Sequence, residues 1–247
     1  METKDLLDIK TPLLEKFREI APGTFRHSQN VSLLCESIAV ELNLDIDLLK
    51  TAGLYHDIGK MNTPDMFSEN QTGDINVHDN LEPIISYQII TRHVGDSVVK
   101  VLQLDDFPDK IKLMNLISQH HGNSILRFFY NKAQTDIEDT FRYKTLSPQS
   151  IEAAILMICD NIEAQTRVEY KSDDFDKEKA VTMIIDRLVD DEQLDIIQIG
   201  DLRIIKKILV KELTNIYHKR IDYKMTEKLP KSNQENINTL HEDKNTE

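Results

Sequence analysis

Tyr55-His56-Asp57-Ile58-Gly59-Lys60-Met61 sets an imidazole and a carboxylate side by side at the end of an apolar segment. The periodicity before it predicts a helix over Asp47–Asp57. Working outward, other histidines stand at comparable places. His27 precedes a helix expected over Ser28–Leu42, where Val31, Leu34, Cys35, Ile38, Ala39 and Leu42 recur at helical spacing. His93 follows the apolar segment Ile84–Ile90, and His120-His121 close a helix expected from Pro108. Asp160 shares a helical face with Ala153, Met157 and Ala164. An ionised carboxylate on such a stripe is costly to desolvate unless a cation or hydrogen bonds meet it. One histidine beside an apolar helix is ordinarily a core or surface residue, and His-Asp is a common dipeptide. Five histidines and two aspartates at helix ends and inner faces together point to a metal site. Neutral imidazole supplies nitrogen, carboxylate supplies charge, and an aspartate can bridge two ions.

The rest of the chain reads as helix. Gly and Pro number only 7 each in 247 residues, which favours long helices over many short strands. Further helices are expected over Asp5–Glu19, Pro83–Leu102, Pro108–His120, Lys177–Leu188 and Asp201–His218, with another opened by Ser147-Pro148 and running through Asp160 towards Arg167. No alternating strand of useful length is visible. The fold class is therefore all-α: an N-terminal helix within residues 1–20, a single helical-bundle domain over 21–226, and a polar tail over 227–247 expected to be disordered. The polar stretch Asn62 to Asn80 has the length and composition of a lid or binding loop.

The formal net charge of −13, from 43 acidic and 30 basic residues, argues against long nucleic acid as a partner. It leaves room for a small phosphorylated ligand, since bound cations invert the local field. The longest apolar run, Ala153 to Cys159, is far shorter than the roughly 20 residues of a membrane helix, and the first residues lack a signal-peptide layout. A cytoplasmic location is the expectation. Cys35 and Cys159 read as buried free thiols.

The set His27, His56-Asp57, His93, His120-His121 and Asp160 resembles the signature of the HD superfamily of metal-dependent phosphohydrolases. More narrowly, the chain resembles the cytoplasmic domain of seven-transmembrane HD phosphodiesterases that cleave cyclic di-AMP. That likeness rests on Ala21 to Ser28, Tyr55 to Met61, Ser68-Glu69-Asn70-Gln71, His78-Asp79, His120-His121-Gly122, Phe128-Phe129-Tyr130, Phe141-Arg142-Tyr143, Pro148-Gln149-Ser150, Glu152-Ala153-Ala154 and Ile216-Tyr217-His218. It implies an HD-domain bundle with a dinuclear site, one divalent ion on His27, His56, Asp57 and Asp160. Asp57 would bridge to a second ion on His93, His120 and His121. It further implies iron or manganese as the metal, hydrolysis of cyclic di-AMP to the linear dinucleotide, and a membrane-tethered setting in relatives. Asp57 and Lys60 are then the catalytic candidates, with Lys60 turned towards a phosphate oxygen. Arg142, Tyr130 and Asn70 are the candidate substrate contacts, against the simpler readings of Arg142 as a surface charge and Tyr130 as core. His78-Asp79 is expected to order its loop, and His218 and His241 to lie apart from the site. Val77 and Lys144 depart from the relatives' pattern near the substrate loop. Other nucleotides (cyclic di-GMP, a deoxynucleoside triphosphate) stay open, as do a non-catalytic nucleotide sensor and an oligomer of like chains. The Gly-Tyr-Pro motif of the cyclic di-GMP branch is absent, because His120-His121-Gly122 continues as Asn123-Ser124.

Overall fold

The structure, a computed structural model, describes residues 2–73, 76–170 and 175–226, with side chains described up to residue 216. Residues 1–212 form one unit and 213–247 another, and the following account concerns the first. Among the described residues there are nine α-helices: α1 Pro12–Ile20, α2 Pro22–Glu41, α3 Ile46–Tyr55, α4 Pro83–Leu102, α5 Lys110–Gln119, α6 Arg127–Ala133, α7 Ile151–Glu169, α8 Lys177–Asp190 and α9 Ile199–Thr226. No strand is present among them beyond one isolated bridge between Ile125 and Arg142. The all-α expectation holds.

The core lies where α2, α3 and α7 meet. Leu34, Ile38, Leu49, Ile155 and Leu156 are fully enclosed there. Local sequence sets the starts of these helices. Asp45 caps α3 by accepting from the Leu48 amide at 3.0 Å, and Ser150 caps α7 by accepting from Ala153 at 3.2 Å. α2 starts with Pro22 at its first position, where a missing N–H costs nothing. Cys35 and Cys159 are buried and unbridged.

Several boundaries differ from the sequence reading. The single helix expected over Asp5–Glu19 is broken into a 3-10 turn, Thr3–Leu7, and α1. Pro12 cannot continue a helix from Thr11 and starts a new one instead. α2 begins at Pro22 rather than Ser28, so His27 lies inside it. α7 takes Ser150 rather than Ser147 as its cap. α6 has no counterpart in the sequence reading; its seven residues are too few to show a helical period. The polar stretch Asn62–Asn80 contains successive 3-10 turns. The tail over 227–247 and the side chains of His218 and His241 lie outside the described residues.

Candidate metal centre

Five helices converge on one point. His27 comes from α2, His56-Asp57 from the end of α3, His93 from α4, His120-His121 from the end of α5 and Asp160 from α7. The approach of the His56-Asp57 turn to α4 requires glycine at position 59. A Cβ built on Gly59 would lie 2.3 Å from the His93 carbonyl oxygen and 2.5 Å from the Ser97 nitrogen. The Gly59 amide instead donates to Ser97 Oγ at 2.8 Å, locking the turn against α4.

Asp57 sits between two groups of donors. Its Oδ2 faces His56 Nε2 at 3.4 Å and His27 Nε2 at 3.6 Å; its Oδ1 faces His93 Nε2 at 3.2 Å and His120 Nε2 at 3.7 Å. Asp160 Oδ1 lies 3.0 Å from His27 Nε2 and 3.7 Å from His56 Nε2, and its Oδ2 lies 3.5 Å from His121 Nδ1. Two sets of potential ligands result, His27, His56, Asp57 and Asp160, and Asp57, His93, His120 and His121, each with its donor atoms within 4.8 Å of one another.

The far side of the rings fixes their orientation. Nδ1 of His56, His93 and His120 faces the carbonyl three residues earlier (Gly53, Ile90 and Ile117) at 2.9, 2.5 and 2.6 Å. A carbonyl only accepts, so each Nδ1 carries the proton and each Nε2 presents a lone pair inward. Yet Nε2 of His27 and His56 are 3.3 Å apart, and Nε2 of His93 and His120 are 3.2 Å apart. Facing lone pairs at that distance call for a cation or an added proton between them. Neither Asp57 oxygen, both buried, receives a hydrogen bond of good geometry. These buried carboxylate oxygens and paired nitrogens fit divalent metal ions, and the chemistry of the set suits them.

Electrostatics divides the two sets. Burial pushes the His27 and His56 imidazoles down, but the carboxylates win. Asp160 and Glu163 raise His27 to about 9, and Asp57 and Asp160 raise His56 to about 10. Burial prevails at His120 and His121, which neighbouring imidazoles push further below the ordinary value. Burial would raise Asp57 and Asp160, yet Lys60 and His56 hold the first well below the usual range and His27 and His56 the second.

Lys60 is a mostly buried, doubly paired cation rather than a solvated one. Its ammonium lies 2.7 Å from Asp57 Oδ2, 3.0 Å from Glu69 Oε1 and 4.7 Å above the Phe67 ring. It lines a cavity of about 420 Å³ that also exposes His27, His93, His121 and Asp160. Arg142, Tyr130 and Asn70 are not among the residues lining this cavity. Asn70 Oδ1 accepts from the Gly23 and Thr24 amides at 2.9 and 3.1 Å, so it caps the start of α2. The Arg142 guanidinium donates to the Asn123 carbonyl and Glu138, both at 3.0 Å. Tyr130 packs beside a cluster of Tyr87, Phe129 and Phe141, while Phe128 is exposed. Buried His78 donates from Nε2 to the Met66 carbonyl at 2.8 Å, a contact that ties the loop to the 3-10 turn before it.

Sequence reasoning missed Glu163, Glu69, Tyr143, Arg167 and Arg187, the first beside His27 and the others on the cavity wall. Glu163 was findable: it follows Asp160 by about one helical turn, shortly after the apolar run Ala153 to Cys159.

The fold and donor set define an HD domain, and the HD domain family model matches residues 24–165. The chain belongs to that family. It is 36% identical over 229 residues, 89% of its length, to "Cyclic-di-AMP phosphodiesterase PgpH" of Listeria monocytogenes serotype 1/2a (strain 10403S). It is 36% identical over 232 residues, 90% of its length, to the protein of the same name in Bacillus subtilis (strain 168). These alignments span 31% and 32% of the two relatives, so the chain covers about a third of their length. Among solved structures, the L. monocytogenes PgpH HD domain matches with a TM-score of 0.77 and 35% identity, covering 85% of this chain and 100% of that one. The same domain in complex with cyclic di-AMP matches with a TM-score of 0.76 and 34% identity, covering 84% and 99%. No helix among the described residues is long and apolar enough to cross a membrane.

Proposed function

We propose that this HD domain is a metal-dependent phosphodiesterase that opens a cyclic dinucleotide, cyclic di-AMP foremost, to the linear dinucleotide. The observation carrying this reading is the match to a PgpH HD domain in complex with cyclic di-AMP, over nearly the whole of that domain. His27, His56, Asp57 and Asp160 would hold one divalent ion and His93, His120, His121 and Asp57 the other, iron or manganese by the nature of the ligands. Such ions, when bound, supply charge to the phosphoryl oxygens and a water ionised near neutral pH.

The chain's own groups do the rest. Asp57 ties the two halves together through its separate oxygens. The carbonyls behind His56, His93 and His120 hold each imidazole in one tautomer, so none has to reorganise when substrate arrives. Lys60, held by Asp57 and Glu69 on the cavity wall, is placed to meet a non-bridging phosphate oxygen. Two free buried thiols suit a reducing, cytoplasmic setting.

A second cyclic dinucleotide deserves a place in the test. The "3'3'-cGAMP-specific phosphodiesterase 1" of Vibrio cholerae serotype O1 (strain ATCC 39315 / El Tor Inaba N16961) is 39% identical over 77 residues, but this is only 30% of the chain and 16% of that protein. Manganese-loaded protein should cleave cyclic di-AMP much faster than cyclic di-GMP or 3′3′-cyclic GMP-AMP, followed by separating products on anion exchange. Equal rates on all three would overturn the choice of substrate, and no hydrolysis of any diester would overturn the activity.

A further inference from the structure

The cavity does not end at the metal ligands. It extends along α7 to α8, where Asn161, Gln165, Arg167, Val168 and Arg187 line it. Asp160, Ala164, Arg167 and Val168 recur at helical spacing on one face of α7, so the ligand Asp160 and the arginine share a stripe. Long side chains on a helix lean towards its N-terminus, which brings the Arg167 guanidinium back in the direction of Asp160. Its Nε lies 3.5 Å from Glu163 Oε2, yet is buried without a hydrogen bond. From α8, Arg187 Nη2 donates at 3.3 Å to Oδ1 of Asn161, the residue after Asp160. Asn161 is itself fixed, since its Nδ2 donates to the Met157 carbonyl at 3.0 Å.

What sets Arg187 apart is its lack of an acid. Among the described residues no carboxylate lies within ion-pairing distance of it. Of the acids adjacent in sequence, Asp186 is engaged with Lys206 at 2.9 Å and Asp191 with Arg127 at 2.5 Å, and Asp190 forms no ion pair with Arg187. In a chain of net charge −13, an arginine on a cavity wall held only by a neutral amide keeps its charge and most of its five N–H groups available. Lys60, by contrast, is matched by both Asp57 and Glu69.

We propose that Arg187, with Arg167 on the same cavity wall, is a second anion subsite that takes the phosphodiester of the cyclic dinucleotide not being cleaved. The inference rests on the function proposed above and extends it. A cyclic dinucleotide carries two phosphodiesters, and only one can lie at the paired metal ligands. The other enters a protein whose overall field repels it, so a nearby guanidinium fork meets a specific need.

The test compares two substrates in the manganese-loaded protein: cyclic di-AMP, with two diesters, and bis(p-nitrophenyl) phosphate, with one. In Arg187→Ala the KM for cyclic di-AMP should rise roughly tenfold or more, the loss expected of a charge-assisted contact. The loss on the single diester should be smaller by about that factor, with metal content equal to wild type. Arg187→Lys should recover only part of the affinity, because the ammonium has the charge without the fork. Equal losses on both substrates, or none on either, would overturn the subsite while leaving the hydrolase reading intact. Wild-type protein that cleaves only the single diester would overturn both.

Discussion

Glu163 accepts a hydrogen bond from Nδ1 of His27 at 2.5 Å, while Nε2 of the same ring faces Asp160 at 3.0 Å. His27 thus has a carboxylate on each nitrogen, where His56, His93 and His120 each have a backbone carbonyl behind the ring. The other Glu163 oxygen accepts from Asn30 Nδ2 at 2.8 Å, so the carboxylate cannot turn freely.

That arrangement makes Glu163 a positioning residue for one ion. Glu163→Gln keeps the volume and removes the charge. The affinity of the His27 set for manganese should fall about 10- to 100-fold, while the His93 set keeps its ion, as resolved by titration against a competing chelator. Unchanged affinity at both would show that the carboxylate only fills space.

Asp57 has one oxygen turned to each set. Asp57→Ala should lower metal content at both sets and reduce hydrolysis by orders of magnitude. Full metal content with near-normal turnover would rule out the shared ligand.

His120 contacts only the Oδ1 side of Asp57. His120→Ala should therefore retain about one equivalent of metal, measured by elemental analysis, and lose hydrolysis. Loss of both ions with helical circular dichroism intact would count against the division into two sets.

Gly59 has no room for a methyl group between its turn and α4. Gly59→Ala should cost about 1–3 kcal/mol of stability through overpacking, read by chemical denaturation. Because the displaced atoms belong to His93 and Ser97, metal affinity should fall with it. A variant as stable as wild type would mean that the turn slides at little cost.

Asn70 was a substrate candidate on sequence, and its side chain is occupied with α2. Asn70→Ala should lower stability by about 1–2 kcal/mol, as expected for the loss of a helix cap. A raised KM with no loss of stability would return it to the substrate site.

What the sequence made legible follows physical range. The seven ligand candidates could be picked out because each stands on a strong local pattern, an apolar helix or its end, and their chemistry is shared. Pro83–Leu102 was read to the residue, since Pro opens it and a long apolar period sustains it. The roles of Asn70 and Arg142 were not legible, because partners such as Gly23 and Asn123 are chosen by tertiary packing. Arg187 was invisible for a similar reason: nothing in α8's own sequence says that it reaches Asn161, 26 residues earlier.

The closest ligand contact, His27 to Asp160, joins residues 133 positions apart. During synthesis, α2 and α3 can dock early, but the first ion has no complete site until α7 has emerged and folded against them. Contacts of such separation form late and slowly. An ion held there would act as a clasp on the finished bundle, and metal supply would shift the folding equilibrium of the whole domain by mass action rather than tightening one corner of it.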